Sequence, residues 1–435
     1  MARVLISGGR VIDPASGVDT VQDIAIEDDR IVEIGVKLAK SPADRIIDAT
    51  GKLVVPGLID PHVHLREPGA EHKETIESGT LAAAVGGFTT VCCMPNTTPA
   101  LDTPEMVTFV DGRSRSTAHC RVYTVAAGTK GRRGEEPSEI SLLARAGAVG
   151  ISDDGDAIAS AGVMARVLTM TKQVGLAFMQ HCQDPTLTVG ASMHAGEVSV
   201  RLGLGGWPRV AEELILERDV RLNTSIGCRY HVQHLSSSGS VEIVRRARAA
   251  GQPVTAEASP HHLLLTHEAV GGADGFAYDT NAKMNPPLRE ASDIAAIKAG
   301  IADGTITVLA TDHAPHSVEE KARPFEEAPF GIVGLETALP LYVESLVKTG
   351  VIDWPRLIAM MTVEPAKLCG LHRIGLGTLA MGGTADVTVI DPEQEWTIRL
   401  EDLAGKSRNT PFLGRRVGAR VVLTMVGGQI RHERR

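Results

Sequence analysis

The chain has 435 residues, of which 43% are hydrophobic and 22% are charged. This ordinary globular mixture excludes a disordered, collagen-like or coiled-coil protein, and the length suits a (β/α)8 barrel with an added domain. The formal net charge of −9 gives no basic footprint for nucleic acid.

The ends of the chain carry short strand-like runs. Residues 1–53 contain several of them, separated by turn signals such as Gly8-Gly9 and Asp28-Asp29. Similar runs return near the C-terminus and are followed by Gly427-Gly428. We therefore expect residues 1–53 plus 380–435 to form one small β domain, a β-sandwich.

Residues 54–379 alternate apolar strand candidates with helix-length segments, which is typical of βαβ units around a parallel sheet. Eight such strands favour an α/β fold of the closed (β/α)8 TIM barrel type, although the count alone leaves a doubly wound sheet open. Helices are predicted at 73–85, 240–250 and 291–301. The predicted strands are residues 54–60, 88–93, 121–126, 148–152, 176–180, 229–233, 253–257 and 306–311.

Histidine and aspartate follow most of these strands. Reactive side chains of barrel enzymes lie at the C-terminal strand ends, and His62 and His64, two residues apart, can both point into the barrel mouth. By the same alternation we expect His231, an odd number of residues before His234, to face outward. The strand-end residues are His62, His64, Asp153, Asp154, His181, His234 and Asp312.

This set predicts a metal centre. Each residue alone has an ordinary explanation, since His-x-His can be accidental and Asp-Asp-Gly is a common turn. Their joint position at the ends of successive strands has no such explanation. The ligands exceed what one tetrahedral catalytic zinc uses, and a carboxylate can bridge two cations, so two ions are expected. Zinc fits the mixed nitrogen and oxygen ligands best, with cobalt, manganese or iron as substitutes.

Five motifs resemble those of a known family. They read DPHVHLREPG at 60–69, MPNT at 94–97, SDDG at 152–155, NPPLR at 285–289 and ATDHAPH at 310–316. Together they resemble type I dihydroorotases of the amidohydrolase superfamily, and the similarity spans nearly the whole chain.

The resemblance implies a ligand set for two zinc ions per subunit. His62, His64 and Asp312 would hold one ion, His181 and His234 the other, and Asp154 would bridge them, with Asp153 left open as the alternative. Related amidohydrolases use a carboxylated lysine as the bridge, but residues 147–155 contain no lysine.

Arg66 lies two residues beyond His64 and offers a planar fork that binds carboxylates in bidentate fashion. The resemblance implies that it binds the ring carboxylate of dihydroorotate with Asn96 and His316. The cyclic ureide edge would then contact Asn285 and the backbone of Phe330 and Gly331.

The implied activity is the reversible hydrolysis of dihydroorotate to N-carbamoyl-L-aspartate, which runs as a cyclisation in de novo pyrimidine biosynthesis, with Asp312 as the catalytic proton relay. An allantoinase or hydantoinase is the nearest alternative, and Arg66 argues against it because neutral ureides offer no carboxylate. A non-catalytic dihydroorotase-like scaffold subunit is the other, and it would lack metal ligands that are present here.

The remaining predictions concern partners and location. The resemblance implies a small-molecule substrate, a homodimer and, for some dihydroorotases, a complex with aspartate transcarbamoylase, which no motif here establishes. The six cysteines form no C-x-x-C pair, and neither a signal peptide nor a long apolar run is visible. We therefore expect a cytoplasmic protein that binds neither nucleic acid nor membrane.

Overall fold

The computed structural model describes residues 3–42 and 44–434. The strands are β1 (Val4–Asp13), β2 (Val18–Glu27), β3 (Arg30–Gly35), β4 (Arg45–Asp48), β5 (Leu53–Pro56), β6 (Leu58–Val63), β7 (Phe88–Cys93), β8 (Arg121–Ala126), β9 (Gly150–Ile151), β10 (Ala177–Gln180), β11 (Met193–His194), β12 (Gly206–Trp207), β13 (Arg229–Val232), β14 (Val254–Ala258), β15 (Val308–Leu309), β16 (Val387–Asp391), β17 (Trp396–Thr397), β18 (Arg416–Val417), β19 (Arg420–Val426) and β20 (Gln429–Glu433).

The α-helices pack around the strands. They are α1 (Ile76–Val85), α2 (Pro104–Thr117), α3 (Ile140–Arg145), α4 (Ala161–Gln173), α5 (Glu197–Leu202), α6 (Val210–Ile226), α7 (Ser238–Ala249), α8 (Pro260–Leu264), α9 (Ala291–Ala302), α10 (Val318–Lys321), α11 (Ala338–Tyr342), α12 (Trp354–Met361) and α13 (Val363–Leu368). In the part of the chain that the structure describes, no helix has the length and apolar character needed to cross a membrane.

An eight-stranded parallel sheet forms the centre of the molecule, in the order β15-β14-β13-β10-β9-β8-β7-β6. A parallel bridge between Val63 and His313 joins its two edges, and the His64 N–H donates to the His313 carbonyl at 2.9 Å. Aliphatic side chains between the strands and the helices form the largest apolar cluster. The predicted (β/α)8 barrel is thereby confirmed.

A second sheet joins both ends of the chain, in the order β20-β19-β16-β5-β1-β2-β3, with β4 also pairing with β1. The two halves of β1 have different partners, since Val4 to Ser7 pair with β4 and Arg10 and Val11 pair with β5. Its apolar face has a cluster of its own, which includes Ile6, Ile24, Val54 and Val389. N- and C-terminal segments thus fold together, as the sequence predicts.

The predicted strand 54–60 is in fact two strands of different sheets. β5 pairs with β16 and β1 in the terminal sheet, whereas β6 pairs with β7 in the barrel. Gly57 separates them at a point where the backbone passes close to Thr89, because a Cβ at Gly57 would lie 2.1 Å from Thr89 Oγ1. The first strand of the barrel sheet is therefore β6, which begins at Leu58.

Candidate metal centre and substrate pocket

Six side chains from the ends of five strands meet at one mouth of the barrel, and each is 5% exposed or less. His62 lies in β6, and the others follow β6, β9, β10, β13 and β15. The backbone has positive φ angles of 29° at His234 and 48° at Asp312, a region that side chains other than glycine's rarely adopt. The six are His62, His64, Asp154, His181, His234 and Asp312.

Asp154 lies at the centre of this group. Its Oδ1 is 3.3 Å from His62 Nε2 and 3.7 Å from both His181 Nδ1 and His234 Nε2. Its Oδ2 is 3.5 Å from His64 Nε2. One carboxylate thus reaches all four imidazoles.

Asp312 contacts the His62 and His64 side of the group. Its Oδ1 lies 3.0 Å from His64 Nε2 and 3.5 Å from His62 Nε2. On the other side, His181 Nδ1 and His234 Nε2 are 2.7 Å apart. The arrangement has two halves, and Asp154 lies between them.

Asp153 points away from the histidines. Its Oδ1 accepts hydrogen bonds from the backbone N–H groups of Gly128 and Thr129 at 2.8 and 3.0 Å, and the Thr129 hydroxyl donates to its Oδ2. The side chain therefore fixes a neighbouring loop, and of the two aspartates left open by the sequence it is Asp154 that faces the imidazoles.

Three of the imidazoles are held from behind by an oxygen acceptor. Such an acceptor fixes the proton on the outer ring nitrogen and turns the lone pair of the inner nitrogen towards the centre, as in metal-ligating histidines. The pairs are His62 Nδ1 with Glu257 Oε1 at 2.6 Å, His64 Nδ1 with Asn96 Oδ1 at 2.8 Å and His181 Nε2 with Gln183 Oε1 at 2.8 Å.

Glu257, the last residue of the predicted strand 253–257, is a functional candidate that the sequence analysis missed. It is fully buried, and its Oε2 contacts His231 Nε2 at 2.9 Å. The prediction that His231 faces outward is therefore wrong. It failed because His234 lies beyond the end of β13, where its positive φ breaks the strand alternation.

The carboxylates of the centre and His181 have the charge states that suit a cation. Burial alone would raise the pKa of Asp312, but His62, His64 and His234 lower it to about 2. Burial is likewise outweighed at Asp154, where the imidazoles hold the pKa well below its usual range. Burial, followed by the neighbouring His234, lowers the pKa of His181 to about 4. Ionised carboxylates and a neutral imidazole are the forms that bind metals.

The donor set also fits a metal pair by its chemistry. Imidazole and carboxylate are typical ligands of zinc and similar divalent ions. Asp154 Oδ1 is buried and accepts no hydrogen bond from any residue that the structure describes. Three overlapping triplets have their ligand atoms within 4.8 Å of one another, namely His62–His64–Asp154, His62–His234–Asp312 and Asp154–His181–His234.

A cavity of about 290 Å³ opens beside the centre. Its wall includes Asp154 and Asp312 together with every residue that the sequence places around a substrate, namely Arg66, Asn96, Asn285, His316, Phe330 and Gly331.

Arg66 is the permanent cation of this cavity. Its Nε donates to the Pro315 carbonyl at 3.2 Å, and burial lowers its pKa only to about 10. No carboxylate among residues 3–42 and 44–434 forms an ion pair with its guanidinium. His316 Nε2 contacts the Phe330 carbonyl oxygen at 2.8 Å, and burial, with the charges of Arg66 and Lys73, holds the pKa of His316 far below its usual value.

A separate triplet outside the barrel mouth, His194, His267 and Glu290, also has ligand atoms within 4.8 Å of one another. Arg289 lies 3.2 Å from His194 Nδ1, and because a guanidinium can only donate, Nε2 of that ring carries the proton. A metal ligand needs the reverse arrangement. The barrel mouth therefore fits a metal better than this triplet does.

Comparisons with known proteins agree with this geometry. Residues 51–240 match a family model described as dihydro-orotase-like. A dihydroorotase from Geobacter sp. (strain M21) is 47% identical over 427 residues, covering 98% of this chain and 98% of the relative. The chain belongs to the dihydroorotase family. A further dihydroorotase, from Trichlorobacter lovleyi, is 46% identical over 98% of both chains, so the family resemblance read from the motifs is confirmed.

Solved structures of cyclic amidohydrolases share the fold of this chain. An L-hydantoinase from Arthrobacter aurescens has a TM-score of 0.87 at 26% identity, covering 100% of this chain and 96% of that one. A dihydropyrimidinase from Brevibacillus agri has a TM-score of 0.86 at 23% identity, with 99% and 95% covered. The second likeness shows the fold alone.

Proposed function

We propose that the protein is a dihydroorotase, which interconverts dihydroorotate and N-carbamoyl-L-aspartate and closes the ring in de novo pyrimidine biosynthesis. The observation that carries the proposal is Arg66, a half-buried guanidinium that forms no ion pair with a carboxylate of the described residues, in the cavity that Asp154 and Asp312 also line. A guanidinium fork in this position matches the ring carboxylate of dihydroorotate. The names of the full-length relatives support the same activity.

The cofactor in this proposal is zinc, two ions per subunit. His62, His64 and Asp312 would hold one ion, His181 and His234 the other, and Asp154 would bridge them. The central position of Asp154 and its free Oδ1 support this assignment. When bound, the ions would polarise the ring carbonyl and activate water.

Asp312 is the proposed catalytic residue. It is ionised at neutral pH, because its pKa is lowered to about 2 against the effect of burial, and it lines the cavity. A carboxylate there can take a proton from water and deliver it to the ring nitrogen that departs. Arg66, Asn96 and His316 would bind the carboxylate, and Asn285 with the backbone of Phe330 and Gly331 the ureide edge.

Hydrolysis of a neutral cyclic ureide is the second candidate, because the Arthrobacter L-hydantoinase shares the fold at 26% identity. That activity would leave the half-buried Arg66 without a partner of opposite charge in the cavity, and a cation that is partly removed from water without a partner is unfavourable. We therefore place it second. The homodimer, the complex with aspartate transcarbamoylase, the cytoplasmic location and the division into residues 1–53 plus 380–435 and residues 54–379 stay predictions.

The test is a paired assay on purified protein: zinc content per chain, and turnover of dihydroorotate and carbamoyl-aspartate, with hydantoin and allantoin alongside. We expect two zinc ions and turnover of dihydroorotate that a chelator abolishes. Turnover of hydantoin or allantoin alone would overturn the substrate. Bound zinc without turnover of any compound would favour the scaffold alternative.

A further inference from the structure

Two buried lysines contact residues of the cavity wall, at positions where an ammonium group is costly. Lys283 and Lys321 are 2% and 6% exposed. Burial lowers the pKa of Lys283 to about 8, and burial, with the charge of Lys283, lowers that of Lys321 to about 7. Neither forms an ion pair with a carboxylate in the described part of the chain. Other contacts must therefore offset the loss of water.

The Lys283 ammonium contacts the backbone of the pocket loop, which we define as residues 317–331. Its Nζ donates to the carbonyls of Phe325 and Glu326 at 2.6 and 3.0 Å and lies 4.5 Å from the centre of the Phe330 ring, a cation–π distance. The Lys283 carbonyl accepts from Gly331 N–H at 2.9 Å. Lys283 thus contacts three parts of this loop.

Lys321 lies in the pocket loop and contacts Thr280, which precedes Lys283 in the chain. Its Nζ donates to the carbonyls of Thr280 and Pro329 at 2.8 and 2.9 Å, and the Thr280 hydroxyl donates to the Lys321 carbonyl at 2.5 Å. The two lysines therefore connect the pocket loop to residues 280–285, which we call the Asn285 segment. Backbone outside helices and sheets lacks the repeating hydrogen bonds that satisfy carbonyl groups. Here the two lysine ammonium groups donate to such carbonyls instead.

We propose that Lys283 and Lys321 are positioning residues for substrate binding, holding the pocket loop and the Asn285 segment together at the cavity. The proposal rests on the proposed function, in which Asn285, Phe330 and Gly331 bind the ureide edge. Without either ammonium, partly buried carbonyls lose a donor, and the pocket loop separates from the Asn285 segment more often. Substrate binding then suffers more than the chemical step, because the metal ligands lie on other strand ends.

The test compares Lys283→Met and Lys321→Met with wild type, all loaded with zinc. Hydrogen exchange of peptides within 322–331, measured without substrate, should be about tenfold faster in both variants, since local opening controls exchange, while peptides from the barrel strands stay protected. KM for dihydroorotate should rise about tenfold and kcat change by less than about threefold, because uniform binding is what is lost.

Lys298→Met is the matched control, because Lys298 is a partly buried lysine on α9. It should leave both exchange and KM unchanged. If the methionine variants do not fold, Lys321→Gln takes their place, because its side chain keeps an amide donor. Exchange of the same peptides should then be faster than in wild type, but by less than about tenfold. Unchanged exchange in a folded variant, or an equal KM rise in Lys298→Met, would overturn the proposal. If wild type fails to turn over dihydroorotate, the proposed function fails, while the exchange data still test the lysine contacts.

Discussion

Glu257 links several parts of the candidate metal centre through one buried carboxylate. Its Oε1 lies 2.6 Å from His62 Nδ1 and accepts from His234 N–H at 3.1 Å. Burial would raise its pKa, but His62 and His231 hold the pKa well below the usual range. An ionised carboxylate behind His62 fixes the ring orientation and makes its inner nitrogen a stronger ligand.

Glu257→Gln should therefore weaken zinc binding by about 10- to 100-fold, because a neutral amide is a poorer acceptor behind a ligating imidazole. Competition with a chromophoric chelator measures the affinity, and excess zinc should restore part of the turnover. Glu268→Gln is the control, since Glu268 pairs with Arg201 at an exposed position. Equal zinc affinity in wild type and Glu257→Gln would contradict this role.

For individual residues, the sequence predicts which side chains lie at the barrel mouth when they come directly after a strand, because the strand ends of a barrel converge there. That rule predicts from the sequence alone that His62, His64 and Asp312 lie at one mouth. It overlooks Glu257, which is the last residue of its predicted strand rather than the next one. Gln183, behind His181, carries no signal at all, because only the path of its loop brings it there.

Among the elements, the junction of β5 and β6 shows what a linear pattern cannot reveal. Residues 53–59 read as one apolar run apart from Pro56 and Gly57, yet the two halves belong to different sheets. The transition needs Gly57, where the backbone passes Thr89 too closely for a side chain. Helices are easier to predict, since α9 spans Ala291–Ala302 where residues 291–301 were expected.

Gly57→Ala should lower the free energy of unfolding by about 1–3 kcal/mol, because the added methyl group overpacks the junction. The matched control is Gly112→Ala in the middle of α2, where a Cβ meets no atom within 4 Å. That change should raise stability by about 0.5–1 kcal/mol through helix propensity. Urea denaturation followed by far-UV circular dichroism measures both. Loss of stability in Gly112→Ala but not in Gly57→Ala would contradict the assignment.

In the whole molecule, the barrel holds the groups that would carry out the reaction, and the cavity beside them determines which substrate fits. The strand ends bring the candidate metal ligands together, whereas Arg66 and the pocket loop form the wall that would distinguish one cyclic amide from another. The fold is shared with hydantoinases, so the fold does not decide between the two activities. The choice depends on what pairs with the Arg66 guanidinium.

The most direct measurement is therefore kcat/KM of wild type and Arg66→Ala on dihydroorotate and on hydantoin, under equal zinc loading. We predict that wild type prefers dihydroorotate and that Arg66→Ala lowers kcat/KM for dihydroorotate by about 100-fold or more, as expected when one partner of a hydrogen-bonded charge pair is removed. Any hydantoin turnover should change by less than about threefold, since a neutral ureide makes no such pair. Undiminished dihydroorotate turnover in Arg66→Ala, or a wild-type preference for hydantoin, would contradict the account.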